Sequence, residues 1–192
     1  MCQSKKGEIF MNNMNSIVWM FPIIFMLHDF EEIIMAEVWG KRYNKSINKA
    51  WPKRQPFGLN YVHHYHTPTF SIGVEVLFLF FSLISLFSLI FQNYFLWYSA
   101  FLGITLHLVF IHMFICIHFK HYVPGVITSI IFLFPSIWIL FTAANLLHYG
   151  VNTILLACLL GIALTLILMP VLHKLMDPFS KLLYKYSEPL HK

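Results

Sequence analysis

His28, Asp29, Glu31 and Glu32 are packed into "HDFEE" (residues 28–32), inside a stretch otherwise apolar enough to cross a bilayer. Acids and an imidazole at that density hold a cation, pass protons, or lock helices together. A helix turns about 100° per residue, so Glu31, His28, Glu32 and Asp29 fall at about −60°, 0°, 40° and 100° around its axis. That is one polar arc, with Phe30, Ile33 and Ile34 on the remainder. Glu31 and Glu32, at i+3 and i+4 from His28, can share a pocket with it. Imidazole with carboxylate suits zinc acting as a Lewis acid, or iron or manganese in an oxygen-using site. Neither HExxH nor HxxEH is present, and HxxE reverses the ExxH order of di-iron bundles.

Five of the chain's eight acids, Asp29, Glu31, Glu32, Glu37 and Glu75, fall in its first two apolar stretches. Glu37 has Lys41 one turn on, an ordinary surface pair. The others have no Lys or Arg nearby in sequence, and an ionised acid at mid-bilayer costs at least ~2.5–3.5 kcal/mol. Protonation, histidine or a bound cation must relieve them. Glu31 and Glu32 lie about seven or eight residues before the end of the first stretch, Glu75 about seven into the second, and His112 about seven before Phe119. At 1.5 Å per residue all fall roughly 10–12 Å below one boundary. His28, Glu31, Glu32 and His112 are therefore the candidate metal ligands. Glu75 is a candidate ligand or base on depth alone, and Glu31 a second candidate base. His107 lies about 140° from His112 around an α-helix, so His107, His112 and His118 cannot all join one site; His118 is left for an entry path or a supporting position.

The elements that hold these groups must be membrane helices. Of 192 residues 58% are hydrophobic and 11% charged, against about a quarter charged in soluble domains. Apolar stretches at roughly 16–39, 68–91, 94–119, 124–147 and 152–175 each suit a ~30 Å hydrocarbon layer, giving an all-α, multi-pass bundle forming a single domain over 1–192. All but Lys5 and Lys6 of the 13 basic residues fall in the loop 40–67, at Lys120 or in the C-terminal tail. Positive charge on one side predicts an outside N-terminus, a cytoplasmic C-terminus and a cell-membrane location. The net charge of +5 thus faces lipid headgroups, not nucleic acid. Cys2, Cys116 and Cys158 show no CxxC spacing and imply no disulfide framework.

"HDFEE" fits an HXXEE signature, "YVPG" (Tyr122 to Gly125) fits YXPG, and His112 stands ten residues before that tyrosine. In this order the chain resembles the HXXEE-domain integral membrane proteins. The resemblance implies a membrane location and brings no reaction with it. Read locally, YVPG is a turn and helix start: Pro124 fits a first turn and Gly125 permits close packing, while Thr128 and Ser129 could turn hydroxyls into the pocket.

The reading favoured is a membrane-embedded metal site under the cytoplasmic leaflet, acting on a lipid-like or isoprenoid-like substrate by hydrolysis first and oxidation second. A proton- or cation-coupled carrier and a non-catalytic subunit with a structural polar cluster stand as alternatives. His63, His64 and His66 read as an interfacial cluster that could pass a cation inward, with no role fixed by the sequence.

Overall fold

The computed structural model describes residues 13–50 and 66–187. A short α1 (Met14–Ile17) leads into α2 (Met20–Ala50), followed by α3 (Thr67–Phe91), α4 (Phe95–Phe119), α5 (Val126–Leu146) and α6 (Val151–Ser187). The described residues contain no strand. Around the bundle the order is α2, α3, α6, α4, α5 and back to α2.

Helices α3, α4, α5 and α6 are long and apolar enough to cross a membrane. By composition α2 is not, because Asp29, Glu31, Glu32 and Glu37 interrupt it. Its faces are nonetheless sorted for lipid. Ile23, Leu27, Phe30, Ile34 and Val38 form an exposed apolar stripe at helical spacing, whereas His28 and Asp29 are buried. The polar arc faces inward and the oily arc outward, the reverse of a water-soluble helix.

The break between α1 and α2 has a local cause. Pro22 has no N–H to give the carbonyl four residues back, that of Val18. A buried carbonyl must find other donors. Ser85 Oγ (3.1 Å) and Trp97 Nε1 (2.8 Å) supply them, tying the entrance of α2 to α3 and α4. Below this point Phe21 packs on Phe81 and Phe101, with ring centroids 4.6 and 5.1 Å away.

At its other end α2 runs through Ala50, into the segment expected as loop, without a proline to stop it; Lys41 pairs with Glu37 (2.6 Å) and Asn48 with Asn44 (2.8 Å), each at i,i+4. Glu37 also accepts from the backbone N–H (2.9 Å) and hydroxyl (3.0 Å) of Thr67, the first residue of α3. The expected surface pair is therefore also the N-terminal cap of the next helix. Similarly, α6 continues past its apolar span to Ser187.

Helix α4 departs from α geometry where the site begins. Residues Leu108–Met113 form a π segment between Phe95–His107 and Phe114–Phe119. On the far side α4 meets α6 at two glycines. A Cβ on Gly103 would lie 2.4 Å from the carbonyl oxygen of Gly161, so only hydrogen fits there.

Candidate metal centre

Two helices bring His28, Glu32 and His112 together. His28 and Glu32 come from one face of α2, one turn apart, and His112 comes from the π segment of α4. His28 Nε2 lies 3.2 Å from His112 Nε2, and Glu32 Oε1 lies 3.2 Å from that same nitrogen. One donor atom from each falls within 4.8 Å of the other two. Ligands about 2.0–2.2 Å from a tetrahedral zinc stand about 3.3–3.6 Å apart, so this group could hold a metal ion.

A third helix, α5, supports the group from behind. Thr128 Oγ1 is 2.6 Å from Glu31 Oε2 and 2.9 Å from His28 Nδ1. A hydroxyl has one proton, and the carboxylate at 2.6 Å is its stronger acceptor. Thr128 therefore donates to Glu31 and accepts from His28 Nδ1–H. His112 Nδ1–H donates to the carbonyl of Pro124 at 3.0 Å. With both Nδ1 atoms committed as donors, both Nε2 atoms turn bare lone pairs toward one point. Two lone pairs at 3.2 Å repel unless a cation stands between them.

Glu31 is turned away from that point. Its carboxylate accepts from the Tyr122 hydroxyl (2.6 Å), the Thr128 N–H (2.7 Å), the Thr128 hydroxyl and the Ile127 N–H (3.4 Å). Gly125 stands at the cap position of α5 with no side chain to cap it. Glu31 fills that office from α2, as Glu37 does for α3. Burial and the Glu31 carboxylate hold the Tyr122 phenol well above its usual range, so it remains a donor.

Glu75 does not join the group either. It is exposed on α3, while Gly73, Val74 and Leu77 occupy the inward face. Equal depth does not fix rotation, and depth was its whole warrant. His118 is exposed, stacked on Phe114, and lines no part of the cavity beside the centre. His66 lies 3.8 Å from Glu37 at the start of α3; His63 and His64 fall outside the described residues.

His107 does join. Its ring lies 5.0 Å from that of His112, and both face the cavity. The expected 140° separation assumed α geometry. In a π turn the hydrogen bonds run from i to i+5, which stacks residues five apart. Asp29 is buried, with Oδ1 3.9 Å from His28 Nε2, and lines the same cavity.

A comparison with protein families matches residues 19–140 to the family described as protein of unknown function with HXXEE motif. The chain belongs to that family. No curated protein and no solved structure matches it. In this HXXEE chain "YVPG" is more than a turn. Tyr122 holds Glu31, Pro124 holds His112, and the Tyr122 carbonyl accepts from Trp39 Nε1. Gly125 has φ +83°, and a Cβ there would sit 2.7 Å from His112 Cε1 and 2.8 Å from Glu32 Oε1. Both facts require glycine.

The HXXEE centre opens on a cavity of about 110 Å³. Asp29, Glu32, His28, His107 and His112 form its polar end. Phe70, Val74 and Leu77 from α3 and Met169, Leu172 and Met176 from α6 line the rest.

Proposed function

We propose that this HXXEE protein is a membrane-embedded, metal-dependent hydrolase, with His28, Glu32 and His112 as ligands and a lipid-like ester as substrate. The observation that carries the reading is the convergence of two imidazole lone pairs and a carboxylate oxygen at 3.2 Å. Two histidines and a glutamate are a donor set of catalytic zinc, which leaves a coordination position open and activates water there. Iron or manganese with oxidation is the second chemistry that such donors serve.

The chain's own groups supply the remainder. Asp29 borders the cavity and can take the proton of a water beside His28. Ester hydrolysis joins the water oxygen to the carbonyl carbon and returns a proton to the departing alkoxide, and a base such as Asp29 can carry it. Glu31 is occupied by four donors and Glu75 faces outward, so the base expected at those positions passes to Asp29. The apolar lining from α3 and α6 suits a hydrocarbon chain. The distribution of Lys and Arg supports a cytoplasmic C-terminus, and with it a centre in the cytoplasmic half of the cell membrane.

Elemental analysis of protein purified in mild detergent tests the ligand set. About one equivalent of transition metal is expected in the wild type and little in His28→Ala or Glu32→Ala. A metal-free preparation that also refuses added zinc, iron and manganese overturns the reading. Turnover of a lipid-ester extract by the loaded protein, absent in Asp29→Asn, tests the hydrolysis.

A further inference from the structure

His107 Nδ1 is shut off from solvent and has no hydrogen-bond partner among the described residues. Buried polar atoms are almost always paired, so each exception asks for a partner. This one belongs to a side chain facing the cavity, on the wall shared with His112. The ligand centre does not use it.

We propose that His107 Nδ1 binds the hydroxyl of an uncharged amphiphile whose chain enters between α3 and α6. The ligand's chemistry follows from three features. An imidazole nitrogen donates or accepts according to tautomer, and a hydroxyl matches either state because it does both. Among the described residues lining the cavity none is Lys or Arg, while Asp29 and Glu32 are acids that already match the charge of a divalent ion in the proposed centre; a phosphate head beside His107 would meet no further counter-ion. An ammonium head would compete with the metal cation of the proposed centre, and in its choice of an uncharged head the inference rests on that reading.

Size limits what is enclosed. A dry cavity of ~150 Å³ takes benzene, so about 110 Å³ holds the hydroxyl and the first few carbons of a chain. The alcohol released by the proposed ester hydrolysis has this form.

Trp39 lines the cavity and reports on its occupant. With protein in nanodiscs, a bromine-tagged octanol should quench Trp39 saturably, with Trp39→Phe giving the background from the other tryptophans. Octyl phosphate should not compete; untagged octanol should. His107→Phe keeps the ring and removes the nitrogen, and should weaken binding roughly five- to tenfold, the value of one hydrogen bond. His107→Asn, which places an amide near the Nδ1 position, should restore most of it. Melting followed by circular dichroism, with and without octanol, gives the same comparison if Trp39→Phe folds poorly. Equal binding of octyl phosphate, or an unchanged affinity in His107→Phe, overturns the proposal. Metal content of the same samples separates the two readings: alcohol binding at His107 in a protein that takes no metal sinks the hydrolase and spares this site.

Discussion

Glu31 and Glu32 are neighbours in the chain and serve different helices. Glu32 Oε1 points at His112 Nε2 on α4 (3.2 Å), while Glu31 is bound to Thr128 and Tyr122 at the head of α5 (2.6 Å each). The 100° between successive residues of a helix is enough to send two identical side chains into separate clefts. One completes a candidate centre, and the other positions the helix that supports it.

Substitution should therefore part the two roles. Glu32→Gln should lose most bound metal with little change in melting. Glu31→Gln should cost about 1–3 kcal/mol of stability, the range for hydrogen-bond donors that lose a charged acceptor, and should retain metal at temperatures where it is folded. Metal analysis and thermal melting on the same samples decide this. The reverse pattern would reassign the centre to Glu31.

Gly125→Ala should damage the centre without touching a ligand. The added carbon meets His112 and Glu32 at 2.7–2.8 Å, and φ +83° is itself strained for alanine. The left-handed backbone alone costs roughly 1–2 kcal/mol. Displacing two ligands should add a loss of metal affinity of tenfold or more, as second-layer changes do. Metal titration giving wild-type affinity would show that the glycine serves the backbone only.

The cap from Glu37 makes a milder forecast. Glu37→Ala removes both bonds to Thr67 and should cost ~1 kcal/mol, as cap losses do. Lys41→Ala leaves those bonds in place and removes only an exposed ion pair (2.6 Å, Lys41 side chain 72% exposed), worth ~0–1 kcal/mol. Equal losses in unfolding experiments would mean the ion pair, not the cap, holds α2 to α3.

Much of this was legible from residue types and depth. Apolar stretches gave the helices, and His28, Glu32 and His112 could be placed together because spacing on α2 and depth on α4 are arithmetic. Rotation is not arithmetic where geometry changes. An α-helix over Leu108–Met113 would turn His107 away from His112, and no residue type there announces a π turn. Depth alone places Glu75 level with the centre but says nothing of which way its side chain faces. A carboxylate that caps a distant helix, as Glu31 does, looks in sequence like one that holds a metal. Gly125 at a cap position without a capping side chain was the available clue, and it becomes readable only once α2 and α5 are known to touch.

Thr128 carries the sharpest remaining test, because it joins the structural glutamate to the candidate centre. Its hydroxyl donates to Glu31 at 2.6 Å and accepts from His28 Nδ1–H at 2.9 Å, which leaves His28 Nε2 bare for a cation. Valine has nearly the same shape and neither function. In Thr128→Val, His28 loses the partner that fixes its tautomer and ring orientation, and such outer partners are worth about 10–100-fold in metal affinity. Thr128→Ser keeps the oxygen and should bind metal within a few-fold of the wild type. Glu31 retains the Tyr122 hydroxyl and the Thr128 backbone N–H in both variants, so α5 stays capped and both should fold. Metal titration that gives valine the affinity of threonine would mean that something other than this relay sets His28, and the convergence of lone pairs would lose its cause.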